Sequence, residues 1–269
     1  MTPARFDRLD ALRGLAMVWM TAFHFVYDLN HFGWVKQDFY RDPFWTWQRV
    51  AIVSLFLFCA GFGQAVATTQ GQSWARFGKR WAMVAGCALL VSLGSWLMYP
   101  QTFIYFGVLH GMALMLVVVR LTAHWGRWLW LLGALAIASK FIASYALSTW
   151  ATGQFIDIFN SPVLNWLGWI TRKPVTEDYA PLFPWLGVMW WGAAAGGWLL
   201  RRLDADTNSN KSRGATGDKG RDGDIGLLLM RPLSKAGRAL AVLGRWSLSY
   251  YMVHQPLLIG ALMGLAWLT

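Results

Sequence analysis

The chain alternates between long apolar runs and shorter polar connections. Each run extends over about 20 residues, the length that a helix needs to cross the hydrocarbon core of a bilayer. One soluble core could not hide so many runs of this length. The pattern therefore predicts an all-α, polytopic integral membrane helix bundle with about seven transmembrane helices. They are expected at residues 11–29, 47–69, 80–99, 103–121, 127–148, 181–200 and 247–268.

The polar connections differ in composition. Residues 30–46 and 149–180 are predicted to form outer loops. Residues 201–231, rich in Gly, Asp, Lys and Arg, are predicted to be a disordered cytoplasmic linker, because they bury too little apolar surface to order themselves. Residues 232–243 are predicted to form a short interfacial helix that leads into the last span. We therefore expect a single transmembrane domain over residues 1–269.

Composition supports a membrane location, and the distribution of charge predicts the orientation of the chain in the membrane. The residues are 56% hydrophobic and 14% charged, whereas a soluble domain carries about 25% charged residues. With the N-terminus in the cytoplasm, 18 of the 24 Lys and Arg and seven of the 13 acidic residues lie on the cytoplasmic side. The whole net charge of +11 then lies on that side. This asymmetry follows the positive-inside rule, predicts a cytoplasmic N-terminus and requires no nucleic-acid partner.

The cysteines give no sign of metal or disulfide chemistry. Cys59 and Cys87 both lie inside apolar runs, where cysteine usually serves as a small buried residue. The sequence has neither paired metal-ligand spacing nor a glycine-rich phosphate loop. We therefore expect no metal site, and the candidate chemistry rests on ionisable side chains within the predicted spans.

His24, in the first predicted span, is the leading candidate. An ionisable group inside a bilayer costs at least a few kcal/mol, so it is a functional candidate by default. Arg13 lies 11 residues before His24, which is close to three helical turns, or about 16 Å along one face. Asp28 lies one turn beyond His24 and is predicted to hydrogen-bond one ring nitrogen, which would raise the basicity of the other. The alternative is that His24 only packs between helices and that Asp28 is a solvated charge.

Three further ionisable residues stand out within the predicted spans, namely His110, His254 and Lys140. His110 is predicted at about the depth of His24 and could face it across a cavity, with packing as the alternative role. His254 precedes Gln255 and Pro256 and is predicted nearer the cytoplasmic side, as a donor-site or structural contact rather than a partner of His24. Lys140 is expected to extend toward the outer interface.

Several segments resemble one known family. The Arg-x10-His spacing from Arg13 to His24 resembles the signature of transmembrane acyltransferases. More narrowly, four blocks resemble the bacterial branch of the heparan-alpha-glucosaminide N-acetyltransferase catalytic-domain family. These blocks are Arg8–Leu29, Gly107–His110, Asp178–Gly187 and Ser247–Pro256.

The resemblance implies an activity in which His24 is central, and the other roles follow from the positions of the residues described above. It implies transfer of an acetyl group from cytoplasmic acetyl-CoA to a carbohydrate acceptor, a sugar or amino sugar, across a bacterial inner membrane. His24, Asp28 and His110 are then assigned to catalysis. Arg13, His254 and Gln255 are assigned to binding of the donor. Whether His24 carries the acetyl group or acts as a general base stays open, as does the oligomeric state, with a homodimer as one option.

A second function class also fits the pattern of histidines. A small proton-coupled membrane transporter would use such residues as proton-relay groups. Against it, the sequence has no evident inverted repeat and no pair of interrupted helices in matching halves. The acetyltransferase is therefore the leading hypothesis.

Overall fold

The computed structural model describes residues 6–151, 153–214 and 232–268. Regular structure in this part of the chain is helical, apart from one isolated bridge between Phe106 and Tyr179. The helices are α1 (Asp7–His31), α2 (Pro43–Thr69), α3 (Trp74–Met98), α4 (Val108–Thr122), α5 (Trp128–Trp150), α6 (Gly153–Asn160), α7 (Leu182–Gly214), α8 (Lys235–Arg245) and α9 (Ser247–Leu268).

Each of the seven predicted spans falls on a helix, namely α1 to α5, α7 and α9. The all-helical class is therefore confirmed. Within the described residues, five helices (α2 to α5 and α9) are long and apolar enough to cross a membrane. Helix α1 is not among the five, because the polar residues that make it a candidate site also interrupt its apolar run. A total of seven spans and a cytoplasmic N-terminus stay predictions.

A helix extends into residues 201–231, the segment predicted to be a linker. Helix α7 continues to Gly214, so the first part of this segment is helical. Extending an existing helix adds one hydrogen bond for each residue fixed, whereas a new helix needs a costly nucleus. A polar sequence can therefore continue a helix that it could not begin. Residues 215–231 lie outside the described residues.

The first of two compact units contains Met1–Cys59 and Leu233–Thr269. Its core is an apolar cluster that joins α1 to the following loop and to α2. The buried members of this cluster are Met17, Met20, Phe23, Phe39 and Ile52. A hydrogen bond of 2.9 Å from the indole nitrogen of Trp19 to the side-chain oxygen of Gln48 adds a polar contact between the two helices.

Helix α8 packs closely against α1 in this unit. It begins after Ser234, whose hydroxyl accepts a hydrogen bond of 3.1 Å from the amide of Gly237, so the helix predicted at residues 232–243 exists. A Cβ on Gly14 would overlap the backbone of Leu240, and a Cβ on Gly244 would overlap the backbone carbonyl of Asp10. The two glycines therefore allow the backbones of α1 and α8 to touch.

The second unit, Ala60–Pro232, is organised around α7. Gly187 of α7 lies against the carbonyl of Gly133 on α5, and Gly61 of α2 lies against the carbonyl of Met189. Small residues permit such close contacts between membrane helices. The indole of Trp190 donates a hydrogen bond of 2.9 Å to the hydroxyl of Thr122, which adds a contact between α7 and α4.

We predict that Gly244→Ala destabilises the protein and that Gly260→Ala does not. The methyl group at position 244 would overlap the carbonyl of Asp10, whereas no described atom lies within 4 Å of a methyl group at position 260. Overpacking of this kind costs about 1–3 kcal/mol, whereas alanine is favoured over glycine inside a helix by up to about 1 kcal/mol. Thermal unfolding in detergent measures both, and equal midpoints would contradict the close contact.

Candidate functional site

Polar side chains of α1 and α9 meet in pairs within the first unit. Each pair joins one residue of α1 to one residue of α9: Thr21 with Tyr250, His24 with His254, and Asp28 with Gln255. The residue numbers rise together along both helices, so α1 and α9 run in the same direction. Parallel first and last spans are a feature of the predicted seven-span arrangement, and the number of spans stays a prediction.

The two histidines lie side by side. Their ring centroids are 5.3 Å apart, and the ring of His254 stacks on that of Tyr250 with an angle of 9° between the planes. The prediction that His254 lies nearer the cytoplasmic side and is not a partner of His24 is therefore wrong. The end of α8 lies at the start of α1, where Arg245 forms an ion pair of 2.8 Å with Asp7. Helix α9 follows and runs along α1, and its eighth residue meets the eighteenth residue of α1.

Asp28 has a different partner from the predicted one. It is buried, with 4% exposure, and its carboxylate accepts hydrogen bonds of 2.9 and 3.1 Å from the side-chain amide of Gln255. Among the described residues, Nδ1 of His24 is buried without a hydrogen-bond partner. The predicted bond from Asp28 to His24 is thus not made, because α9 presents an amide to the carboxylate. Gln255, predicted to bind the donor, has its amide group committed to Asp28.

Arg13 lies on the face of α1 that was predicted, since α1 is one uninterrupted helix from Asp7 to His31. Its guanidinium forms an ion pair with Asp10 at 3.0 Å and donates a hydrogen bond of 3.3 Å to the backbone carbonyl of Cys59. Its side chain is 27% exposed. These contacts connect α1 to α2 and balance the charge of Arg13. A phosphate group would have to share the guanidinium with Asp10, so donor binding by Arg13 stays a prediction.

His110 belongs to the second unit, and both of its ring nitrogens are engaged. Nδ1 accepts a hydrogen bond of 3.2 Å from the amide of Gly107, at the start of α4. Nε2 lies 3.0 Å from the hydroxyl of Ser92, which itself lies 2.6 Å from the carbonyl of Ile104. A hydroxyl has one hydrogen, and the carbonyl can only accept it, so Nε2 must donate to Ser92. This arrangement caps α4 and favours the packing role that the sequence left open; catalysis by His110 stays a prediction.

Asp178 is a structural residue that sequence reasoning did not single out. Its carboxylate accepts a hydrogen bond of 2.8 Å from the amide of Val108, which satisfies a free donor at the start of α4. The next residue, Tyr179, donates a hydrogen bond of 2.6 Å to the carbonyl of Asn165. Burial raises the pKa of Tyr179 above its ordinary value, so the phenol remains a neutral donor. Since Asp178 lies 70 residues from Val108 in the sequence, no local sequence pattern predicts that its carboxylate caps α4.

An open cavity of about 550 Å³ lies at the end of α1. Its lining combines aromatic and polar side chains, among them Tyr27, Asn30, His31, Lys36, Asp38 and Tyr40. Tyr27 and His31 follow His24 by three and seven residues, so they lie on the same face of α1. Ligand pockets usually measure about 300–1,000 Å³. This cavity is therefore large enough for a small ligand.

A comparison with known families decides the identity of the chain. Residues 5–217 match the family described as heparan-alpha-glucosaminide N-acetyltransferase, catalytic. The chain belongs to this family. No curated protein and no solved structure matches the chain.

Family membership bears on both the activity and the site. It implies a transferase of the acyl or acetyl type, and with the five apolar helices it makes the chain a multi-pass membrane protein. The matched residues include Arg13, His24 and His110. The match ends at residue 217, before α8, so His254 and Gln255 lie outside the matched part of the chain.

We predict strong coupling between Asp28 and Gln255 in a double-mutant cycle. Asp28→Leu leaves the buried amide of Gln255 without its acceptor, and Gln255→Leu leaves a buried carboxylate without its donor. Each loss should cost about 1–3 kcal/mol, whereas removing both polar groups together should cost much less than the sum. Thermal unfolding in detergent measures the three variants. Additive losses would show that the two side chains do not depend on each other.

Proposed function

We propose that this protein is a membrane acetyltransferase that moves an acetyl group from cytoplasmic acetyl-CoA to a sugar or amino sugar on the opposite side of a bacterial inner membrane. Membership of the family supports a transferase. The observation that carries the assignment of the reactive residue is the environment of His24. Its imidazole lies on α1 beside the ring of His254 on α9, with Nδ1 buried and unpartnered among the described residues.

A neutral imidazole in this position can react in two ways. In the first, a ring nitrogen of His24 attacks the thioester carbonyl, the carbon–sulfur bond breaks and CoA leaves as a thiolate that takes up a proton. The acceptor hydroxyl or amine then attacks the acetyl-imidazole, loses its proton and frees the ring. In the second, His24 takes the proton of the acceptor as the acceptor attacks the thioester directly, and this proton passes to the departing thiolate.

The donor approaches from the cytoplasmic side in this proposal. Phosphate groups of CoA bind guanidinium groups well, because both partners are charged and can share two hydrogen bonds. Arg13 lies three turns before His24 on one face of α1, about 16 Å away along the axis. An extended pantetheine arm spans such a distance. Binding of the phosphates then weakens the ion pair between Arg13 and Asp10.

The cavity at the end of α1 supports a site for the acceptor. Rings such as Tyr27 and Tyr40 offer flat apolar faces, and Asn30 and Asp38 offer hydrogen-bonding groups. Small-molecule sites commonly combine apolar surface with a few placed polar groups. A sugar presents both an apolar ring face and several hydroxyls. The cavity therefore fits the acceptor in chemistry and in position, one turn from His24.

A proton-coupled transporter is the second candidate, and the facing rings of His24 and His254 are the observation in its favour. Two adjacent imidazoles in a membrane helix pair can pass a proton between them. Acetyl-CoA separates the two candidates. A specific donor raises the thermal stability of the detergent-purified acetyltransferase by mass action, whereas a transporter for an unrelated solute would be unaffected.

We predict that His24→Gln abolishes transfer of radiolabelled acetyl from acetyl-CoA to envelope glycans. Loss of a general base or nucleophile lowers the rate by about 100-fold or more. The matched control is His124→Gln, because His124 is exposed on a short turn after α4. Wild-type transfer by the His24 variant would refute the assignment of His24. Label retained on the wild-type protein without acceptor would identify the covalent route.

We predict that Tyr40→Ala raises the KM for the acceptor and leaves the KM for acetyl-CoA unchanged. Tyr40 lines the cavity and is 58% exposed, so its removal should disturb the fold little. An aromatic contact contributes about 0.5–1.5 kcal/mol, or about 2- to 10-fold in KM. Trp47, 72% exposed on α2 and not part of the cavity lining, provides the control Trp47→Ala. Equal effects of the two variants on the acceptor would exclude this cavity.

A further inference from the structure

We propose that His254 is a positioning residue for His24. Nε2 of His254 accepts a hydrogen bond from the N–H group at Nδ1 of His24. This bond holds His24 in the tautomer with an unprotonated Nε2, and that nitrogen reacts with the acetyl group or with the acceptor proton. The inference about the tautomer rests on the contacts of α1 and α9. Its meaning for catalysis rests on the proposed function.

The protonation of His254 follows from its own contact. Nδ1 of His254 lies 2.8 Å from the backbone carbonyl oxygen of Tyr251. A carbonyl oxygen can only accept a hydrogen bond, so Nδ1 must carry the hydrogen. In a neutral imidazole the other nitrogen then has a free lone pair. Nε2 of His254 is therefore an acceptor, and it is buried with no partner in the described part of the chain.

His24 presents the complementary atom. Its Nδ1 is also buried and also has no partner among the residues described. The ring centroids are 5.3 Å apart with 60° between the ring planes, and the two nitrogens are not hydrogen-bonded in this structure. Ring nitrogens turned toward each other at this separation would be about 3 Å apart, which is a hydrogen-bond distance. A small rotation of the rings brings the two atoms into direct contact.

Only one tautomer of His24 satisfies both atoms. With the hydrogen on Nδ1, His24 donates to His254 and both buried nitrogens are paired. With the hydrogen on Nε2, two lone pairs would face each other in a buried site. An unsatisfied buried acceptor costs about 1–3 kcal/mol, so the first tautomer dominates.

The surrounding contacts fix the position of His254. Tyr250 stacks on its ring and forms a hydrogen bond of 2.7 Å with Thr21 of α1. On the other side of the pair, Gln255 donates to Asp28. These two contacts hold the register of α9 on α1 on both sides of the two rings. Asp28 is therefore connected to the neighbourhood of His24 through Gln255 of α9.

The proposed tautomer makes chemical sense for either reaction route. As Nε2 of His24 forms its new bond, positive charge develops on the ring and the hydrogen at Nδ1 becomes a stronger donor. His254 accepts the strengthened hydrogen bond from Nδ1, as the carboxylate does from the histidine of a Ser-His-Asp triad. A neutral imidazole provides this support without a second buried charge, which would carry a large desolvation penalty in an apolar helix pair.

Nitrogen NMR of the full-length protein in detergent, labelled with ¹⁵N-histidine, tests the inference directly. The chain contains five histidines, and the signals of His24 are those that disappear in His24→Gln. We expect His24 to be protonated at Nδ1 in the wild type and to shift toward Nε2 protonation in His254→Leu. His254→Gln is the matched control, since its amide oxygen can accept the hydrogen in place of Nε2, and it should keep the wild-type tautomer. Protonation of wild-type His24 at Nε2, or no change in His254→Leu, would overturn the inference.

Kinetics separate this inference from the proposed function. We expect His254→Leu to lower kcat by about 100-fold with an unchanged KM for acetyl-CoA, and His254→Gln to recover most of the rate. A raised KM for acetyl-CoA with unchanged kcat in His254→Leu would overturn the positioning role. If His24→Gln abolishes transfer but His254→Leu leaves the tautomer of His24 unchanged, the positioning role of His254 is refuted and the proposed function stands. If the tautomer responds to position 254 but His24→Gln transfers normally, the proposed function fails and the contact stands.

Discussion

A polar side chain inside a membrane helix needs a polar partner, which here lies on another helix. This constraint shapes the contact between α9 and α1. Its buried residues are His254 and Leu262, whereas large apolar residues such as Leu257 and Met263 are mostly exposed. Apolar packing of α9 in this unit is therefore sparse, apart from Tyr250 and Tyr251, which pack against the cluster around Met17 and Met20. The polar residues of α9 add contacts with Thr21, His24 and Asp28, and the immediate surroundings of His24 depend on them.

The sequence predicted what depends on local periodicity. The positions of the long helices and the shared face of Arg13 and His24 follow from apolar runs and from 3.6 residues per turn, and both were confirmed. The sequence could not predict the level at which α9 meets α1, because that depends on how α8 packs against Gly14. The partner of Asp28 was missed for the same reason.

Local spacing also contained a signal that was not used. His110 follows Gly107 by three residues, which is the spacing at which a side chain can return to the first amide of its helix. The remaining contacts of this cap come from Ser92 and Asp178, 18 and 70 residues away from their partners. A histidine deep in an apolar run is thus satisfied by the start of its own helix and by distant segments, which makes burial alone a poor guide to chemistry.

The parallel contact of α1 with α9 also has a consequence for biosynthesis. The ribosome completes α9 about 240 residues after the end of α1, when the other described helices have already been made. Until then Thr21, His24 and Asp28 have no partners on α9, and bound lipid, water or a membrane insertase must accommodate them. Assembly of the contact between α1 and α9 around His24 is consequently a late step in the maturation of the protein.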